Sequence, residues 1–299
     1  MELRQLRYFV RTAELLNFTE AARQLFVTQS TLSQQIKSLE AELGVQLFER
    51  NSHSVRLTEL GEAFLPSARL TLHEADNCIT RLNDVQQLTT GELHIGATHT
   101  FSPLLTDTLG DFMRAYPGVK VTVTCLPMEQ LIERLKRQEV DVVLSFKPLE
   151  QDPDVESHIL FGTRLAVVVS DTHPLAEHRS LCLRDLERMP IALPARGMQA
   201  RSAFDALVEG HDYRFDVRAE VNDIAVLLNL VRSSRLVTFL SQAALAGEAG
   251  LKAVDLEPAF SMEGSFHIRK GSYTKRSMRE FLRRLCENKA FGMAMMDLF

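Results

Sequence analysis

The segment 19–44 reads TEAARQLFVTQSTLSQQIKSLEAELG and predicts two helices joined by a tight turn. The first helix is expected to run from Thr19, as its N-cap, to about Phe26, and Thr28 is a suitable N-cap for the second. Gly44 supplies the left-handed residue that ends such a helix. The apolar residues of the second helix are spaced 4, 3 and 4 positions apart and share one side: Leu32, Ile36, Leu39 and Leu43. The pattern therefore predicts a helix-turn-helix.

The opposite side of this second helix carries hydrogen-bonding groups, whereas an ordinary solvated helix alternates Glu and Lys. Amides and hydroxyls pair with base edges in the major groove, and the N-terminal helix dipole favours a phosphate. The candidate base-reading residues are Gln29, Ser30, Thr31, Ser33 and Gln34. Lys37 adds one cation to the same face. A polar solvent face is the alternative interpretation of this pattern.

The residues that follow predict a short hairpin. Arg50 and Arg56 stand on either side of its polar tip and would reach the DNA backbone or the minor groove from there. Ordinary surface arginines are the alternative interpretation.

A long helix is predicted from Thr58, its N-cap, to about Leu88. Its apolar residues repeat at intervals of 4, 3, 4 and 3, which is the seam of two paired helices: Ala68, Leu72, Ala75, Ile79 and Leu82. We therefore expect a homodimer. Packing of this helix on its own chain is the alternative.

Beyond residue 90, apolar runs bounded by turns alternate with helical stretches. This alternation predicts an α/β architecture with mostly parallel sheets, in which ligands bind beyond the carboxyl ends of the strands. Strands are expected at Glu92–Ala97, Val119–Cys125 and Arg164–Ser170, and a helix at Gln242–Ala249.

Composition and charge exclude several classes of protein. A chain of 299 residues predicts two or three domains, and 45% hydrophobic with 24% charged residues excludes a disordered or fibrous chain. The net charge of −5 divides into +1 over residues 1–58 and −6 over residues 59–299, which argues against indiscriminate nucleic-acid binding. The sequence has neither a secretory signal nor a membrane-spanning run, so we expect a cytoplasmic protein without membrane contact.

The cysteines lie at least 47 residues apart, and their spacing matches neither a zinc knuckle nor a C-x-x-C redox motif: Cys78, Cys125, Cys182 and Cys286. The sequence also lacks a P-loop, a G-x-G-x-x-G and a G-x-S-x-G motif. We therefore expect no enzyme, no catalytic residues, no cofactor and no metal site. A redox-sensing regulator remains an alternative, with Cys182 as its best candidate because His178, Arg179 and Arg184 flank it.

Four segments resemble, in order and spacing, the N-terminal signature of the bacterial LysR-type transcriptional regulators: Phe18–Leu25, Thr28–Glu40, Leu43–Arg50 and Leu57–Gly61. The resemblance is specific over residues 1–61 and weak in sequence over 90–299. It implies a winged helix-turn-helix DNA-binding domain in 1–58, a linker and dimerisation helix in 59–89, and an effector-binding domain in 90–299. Ser30 departs from the family, which very often has proline there, so the base preference would differ.

The resemblance also implies an effector domain similar to periplasmic binding proteins, with two α/β subdomains joined by two crossover strands. Subdomain I would cover about 91–162 and 266–299, and subdomain II about 163–265. Such regulators are homodimers or homotetramers that bind a pseudo-palindromic operator in double-stranded DNA, and a small molecule controls their action on RNA polymerase. In this family Lys37, Arg50 and Arg56 fall where phosphates or the minor groove are met. A solute-binding protein is a further alternative, which the helix-turn-helix opposes.

The candidate effector residues lie where predicted strands end and helices begin: Thr98, His99, Thr100, Phe101, Met128, Ser145, Lys147, Arg196, Gln199, Arg201 and Asn222. Helix N-termini together with Lys147, Arg196 or Arg201 would suit a small anion. Loop capping and surface charge are the alternative roles for these residues.

Overall fold

The structure is a computed structural model that describes residues 1–50, 55–85, 90–148, 150 and 152–287, apart from the side chains of residues 50, 80 and 83–85. The chain divides into two compact units, Met1–Leu88 and Thr89–Phe299. Among the helices of the described ranges, none is long and apolar enough to cross a bilayer.

The first unit contains four helices and one antiparallel hairpin in its described part: α1 (Leu3–Leu15), α2 (Phe18–Gln24), α3 (Gln29–Leu43), β1 (Phe48–Arg50), β2 (Val55–Leu57) and α4 (Glu59–Val85). The first three helices enclose one core, in which Leu6, Phe9 and Ala21 are buried. The stripe predicted on α3 packs into this core at Leu32, Ile36 and Leu39, while Leu43 stays partly exposed.

The predicted ends of the helix-turn-helix are partly correct. Thr28 caps α3 by accepting a hydrogen bond from the Thr31 amide at 3.2 Å, and Gly44 ends the helix at φ +71°. The N-cap of α2 is Asn17 instead of Thr19, because its side chain accepts from the Glu20 amide. That helix ends at Gln24, so Phe26 lies in the turn instead of the helix.

The apolar residues of the seam on helix α4 are buried in its first part and exposed to solvent in its later part. Ala68 is buried and Leu72 half-buried against the core of the first unit, so this part of the seam packs on its own chain. Farther along, Ile79 and Leu82 are 60% and 65% exposed. These two residues are the part of the seam that a second copy of the chain would cover.

The second unit alternates strands and helices: β3 (Gly91–Ala97), α5 (Ser102–Ala115), β4 (Val119–Cys125), α6 (Met128–Lys136), β5 (Val142–Phe146), β6 (Val155–Ser170), β7 (Ser180–Cys182), β8 (Pro190–Pro194), α7 (Gln199–Val208), β9 (Asp216–Val221), α8 (Ile224–Arg232), β10 (Thr238–Ser241), β11 (Leu251–Glu257), β12 (Ser261–Arg269) and α9 (Arg276–Glu287). Its main sheet has the order β4-β3-β5-β12-β6-β11-β7, and β10 also pairs with β6. Strands β8 and β9 form a separate parallel pair.

Two strands connect the two ends of this unit. Strand β6 is 16 residues long, and its first half pairs antiparallel with β12, from Val155 opposite Arg269 to Arg164 opposite Ser261. Its second half pairs antiparallel with β10 and β11. The sheet is therefore mixed, and the expectation of mostly parallel pairing was wrong because the crossover strands run antiparallel to their neighbours.

We call β3, β4, β5, α5, α6 and α9 the first lobe, and β7 to β11 with α7 and α8 the second lobe. The subdomain limits proposed from the sequence, at 162/163 and 265/266, fall inside the two crossover strands β6 and β12. Where these strands cross, Gly264 meets Phe161 so closely that a Cβ atom would lie 2.4 Å from the ring. Glycine at this position lets the strand pass the ring.

Candidate functional site

The polar face of α3 lies opposite its buried stripe. Gln29, Ser30, Thr31, Gln34 and Lys37 are exposed, and Ser33 is half-buried at the edge of the face. The Thr28 hydroxyl lies 2.9 Å from the Ser30 hydroxyl and 2.8 Å from that of Thr31, which ties both to the N-cap. Neither amide, of Gln29 or Gln34, bonds to another described residue, so both present their donors and acceptors to solvent.

A buried carboxylate attaches the hairpin to this helix. Glu40 of α3 is almost fully buried, and its Oε1 accepts the backbone amides of Leu47 at 2.9 Å and Phe48 at 3.2 Å. Arg56 of β2 is exposed opposite Glu49 of β1. The side chain of Arg50 and the hairpin tip lie outside the described residues. The position of the hairpin relative to α3 is therefore fixed from within the helix.

In the second unit, a cavity of about 320 Å³ lies between the two lobes. It is lined beyond the carboxyl ends of β3, β4 and β5 on one side and of β8, β9 and β10 on the other. The candidate residues that line it are Thr98, His99, Thr100, Met128, Arg196, Gln199 and Asn222. Since ligands of α/β sheets bind outside the carboxyl ends of strands, this is the position expected of a ligand site.

Two hydroxyls in the wall of this cavity have no hydrogen-bond partner among the described residues. They are Thr98 Oγ1, at the end of β3, and Ser241 Oγ, at the end of β10 in a residue that is 1% exposed. A buried hydroxyl without a partner costs about 1–3 kcal/mol. Both oxygens are shielded from solvent, so a polar group of a ligand would satisfy them once these side chains rotate towards the cavity.

The side chain of Gln199 fastens the lobes together. Its Oε1 accepts the Phe146 amide at 3.0 Å, and its Nε2 donates to the Phe146 carbonyl at 2.5 Å and lies 2.8 Å from Met128 Sδ. The side chain thus spans from the start of α7 in the second lobe to the end of β5 in the first. Both ends of the Gln199 amide already have hydrogen-bond partners. Gln199 therefore lines the cavity without offering a free polar group to a ligand.

The two charged side chains at the cavity, Arg196 and Asp223, differ in whether they already have a partner. Arg196 is exposed at its rim and has no carboxylate partner among the described residues. Asp223 also lines the cavity, but its carboxylate accepts the Val226 amide at 3.0 Å and caps α8. Apolar groups cover much of the remaining wall: Leu126, Pro127, Phe146, Met198, Ile224 and Leu240.

Four candidate effector residues do not line this cavity. Phe101 is buried against the rings of Phe146 and Phe161. Ser145 points into the core. Lys147 pairs with Glu263 at 3.3 Å and lines a neighbouring cavity of about 560 Å³.

Arg201, the fourth of these, lies inside the second lobe at 7% exposure, with Asp205 at 2.8 Å and Glu220 at 3.0 Å. Burial acts to lower the pKa of Arg201, but hydrogen bonds to the two carboxylates outweigh it and raise the pKa. The guanidinium of Arg201 is therefore occupied by carboxylates within the fold, and it does not line the cavity.

Ser145 takes part in a buried polar cluster where β5, β6 and β12 meet. Its Oγ lies 2.9 Å from His267 Nε2, and Ser157 Oγ lies 2.8 Å from His267 Nδ1. Desolvation lowers the pKa of His267 to about 4. The imidazole is neutral near pH 7 and holds the three strands together through both ring nitrogens.

Sequence reasoning missed several cavity residues, including Phe146, Met198 and Ser241. A rule based on strand ends would have found Phe146 and Ser241, since each is the last residue of a buried strand. The sequence predicts Ser145 at this strand end, whereas Phe146 lines the cavity. Every residue of β5 is buried, so an alternation of buried and exposed residues does not indicate which of the two faces the cavity.

All four cysteines lie within the described ranges, and none forms a disulfide. The Cys182 amide donates to Asp185 Oδ2 at 2.8 Å, which places a carboxylate beside the thiol. Cys125 is exposed and lines the cavity. Within the residues described, no group of three or more His, Cys, Asp or Glu is placed to hold a metal ion.

Comparison with known protein families matches both units. A family described as bacterial regulatory helix-turn-helix protein, lysR family, matches residues 3–62, and the LysR substrate binding domain matches residues 86–290. The regulator EstR of Acinetobacter baylyi is 33% identical over 249 residues, which cover 81% of this chain and 80% of EstR.

Two solved structures share the fold over nearly the whole chain. A full-length OxyR variant from Pseudomonas aeruginosa has a TM-score of 0.73 at 23% identity and covers 99% of both chains. Full-length CbnR in complex with its target DNA has a TM-score of 0.67 at 24% identity, covering 96% of this chain and 99% of CbnR.

Proposed function

The chain belongs to the LysR family of bacterial transcription regulators, and from that premise we propose how its residues divide the work. The protein is an oligomeric DNA-binding regulator controlled by a small-molecule effector. The first unit binds operator DNA, and the second unit binds the effector between its lobes. The protein binds this effector without converting it, and it acts in the cytoplasm, where the operator and RNA polymerase are.

In the first unit, the exposed face of α3 enters the major groove. Gln29 and Gln34 offer free amides, which pair with adenine in bidentate fashion, and the hydroxyls of Ser30, Thr31 and Ser33 add single contacts. Lys37, Arg50 and Arg56 meet phosphates or the minor groove. The seam residues Ile79 and Leu82 of α4 pair with a second copy, which sets the distance between two half-sites.

In the second unit, the effector is a small organic anion with an apolar body. Its polar head bonds to Thr98 and Ser241, and Arg196 supplies the positive charge at the rim. The apolar wall around Leu126, Phe146 and Ile224 contacts the rest of the molecule. Contact with both lobes gives the ligand different affinities for closed and open arrangements, which is the requirement for control of a distant DNA-binding unit.

The observation that carries this proposal is the pair of unpartnered buried hydroxyls, one from each lobe, in the wall of one cavity. The test is a thermal-shift screen of the full-length protein against a library of small organic acids. A stabilising acid is then measured on Thr98→Val, Thr100→Val and Ser241→Ala. We expect the stabilisation to fall in these variants.

Thr238→Val is the matched control for Ser241→Ala. Thr238 belongs to the same strand, is fully buried and has an equally unpartnered hydroxyl, but it does not line the cavity. Without ligand, both substitutions should stabilise the protein by about 1 kcal/mol, because each removes an unsatisfied group. With ligand, the stabilisation of Thr238→Val should equal that of wild type. Full ligand stabilisation in every cavity variant would contradict the assignment of the site.

A further inference from the structure

The side chain of Phe26 stands apart from the rest of the first unit. It is 95% exposed, and its backbone lies in the left-handed region at φ +56°. Single exposed apolar residues are common on protein surfaces. A bulky aromatic residue on left-handed backbone is uncommon, because L-residues disfavour that conformation. The ring of Phe26 is therefore exposed to solvent, and its backbone conformation is one that glycine or asparagine adopts more easily.

The neighbours of Phe26 explain how the ring is held there. Leu25 and Val27 both pack against the core of the first unit. The Phe26 amide donates to the Arg23 carbonyl at 3.2 Å, and the Val27 amide donates to the Ala22 carbonyl at 3.0 Å. The chain is anchored on both sides, so the ring projects outward from a fixed point. Because it covers none of the core, the ring contributes little to folding.

The position of the ring points to its partner. Phe26 precedes the N-cap Thr28 by two residues, and helices of this kind meet DNA with their N-terminal residues. The neighbouring cation Arg23 is neutralised by Glu20, with contacts of 2.9 and 2.6 Å. The cation nearest to Phe26 in the chain is therefore already paired within the protein, and the exposed ring of Phe26 adds an apolar group beside it.

We propose that Phe26 packs against apolar surface of the operator DNA at the edge of the major groove, either a thymine methyl group or deoxyribose carbons. This inference rests on the proposed DNA-binding role of α3 and adds to it a contact that depends on neither hydrogen bonding nor charge. Apolar contact with thymine methyl groups is an established mode of base recognition. The left-handed turn places the ring at the boundary of the proposed DNA-binding face.

The test compares Phe26→Asn with Leu16→Asn. Leu16 is the matched control because it is also left-handed, at φ +47°, and is 46% exposed in the same unit. Asparagine tolerates this backbone well, so both variants should melt at or above the temperature of wild type. A duplex selected by the wild-type protein from a random library is the probe. Phe26→Asn should bind it about tenfold more weakly, and Leu16→Asn as tightly as wild type.

Deoxyuridine in place of thymidine distinguishes the two kinds of DNA surface. If the ring contacts a methyl group, one deoxyuridine per half-site should weaken the wild type and leave Phe26→Asn unchanged. If the ring contacts deoxyribose, no such position will exist, and Phe26→Asn will still be weaker on every duplex. Phe26→Tyr keeps the ring and should retain most of the affinity.

Three results would overturn the inference. The first is an affinity of Phe26→Asn within twofold of wild type. The second is a clear loss of thermal stability in that variant, since it would show that the ring packs within the protein. The third is a changed oligomeric state in sedimentation with DNA affinity intact, which would assign the ring to a contact between copies. If Gln34→Ala loses sequence preference while any of these three results is found, the Phe26 inference fails but the proposed DNA-binding function is still supported.

Discussion

The polar face of α3 and the cavity of the second unit are built in opposite ways. The face consists of six candidate side chains between Gln29 and Lys37, on one helix whose periodicity determines which side is buried. The cavity collects residues from Thr98 to Ser241 at the ends of six strands. Local periodicity suffices to identify the first kind of site, whereas the second kind depends on which strands pair. The following experiments test whether the two regions differ as described.

The largest expected effect is an acid-sensitive step in the second unit. The pKa of His267 is about 4 in the folded protein, below its ordinary value of 6.5, so folding favours the neutral ring. This contribution is complete above about pH 6.5 and is lost as the pH falls towards about pH 4, for a total of about 3 kcal/mol. Urea unfolding at intervals across this range should show the loss in wild type.

His267→Gln is the comparison for this prediction. Glutamine does not titrate and keeps hydrogen-bonding groups for Ser145 and Ser157, so the variant should lose less stability over the same range. An identical loss in both proteins would show that other groups dominate acid unfolding of the second unit.

The next effect concerns the attachment of the hairpin to α3 in the first unit. Glu40→Ala would leave the Leu47 and Phe48 amides buried without their acceptor, and we expect a destabilisation of about 2 kcal/mol together with weaker operator binding. Denaturant unfolding and a gel-shift titration measure the two effects. Glu42→Ala is the control, because this exposed neighbour on α3 pairs with the N-terminal amine and should contribute little. Equal effects of the two substitutions would contradict the role assigned to Glu40.

The smallest expected effect is electrostatic and independent of sequence. Arg56→Ala should weaken binding to every duplex alike and reduce the slope of log affinity against log salt by about 1. Lys120→Ala is the control, because it removes one positive charge from the second unit, where Lys120 pairs with Glu92. An unchanged salt dependence in Arg56→Ala would contradict the proposal that Arg56 of the hairpin contacts DNA.

The difference between local periodicity and long-range strand pairing also determines how much of the fold could be predicted from the sequence. Three of the four residues of the stripe and both ends of α3 were predicted correctly, because a cap, a spacing and a terminal glycine are local signals. The strand expected at Arg164–Ser170 extends back to Val155, since its first half is stabilised by pairing with β12, which lies about 100 residues away. The helix expected at Gln242–Ala249 is a short 3-10 turn over Gln242–Leu245. The pairing of β6 with the distant β12 left no pattern in the sequence of its first half.

For the cavity, strand ends and helix starts identify loops that line it, but four of the side chains predicted from them do not line it. Arg201 was chosen for its charge, yet Asp205 one turn later and Glu220 on β9 bind it within the lobe. Ser241 has an ordinary residue type in the sequence, and its unpartnered hydroxyl is visible only once β10 is placed beside β6. The sequence shows that a side chain carries a charge or a hydroxyl, but it does not show whether the folded protein already contains a partner for that group.

The most direct test of the central claim, that the exposed face of α3 determines which DNA is bound, is parallel selection of duplexes from a random library by wild type and Gln34→Ala. Wild type should enrich a sequence with two related half-sites. Gln34→Ala should lose its preference at the base pair this residue reads in each half-site, while keeping the spacing and the oligomeric state. Enrichment of the same sequence by both proteins, with equal preference at every position, would contradict the account.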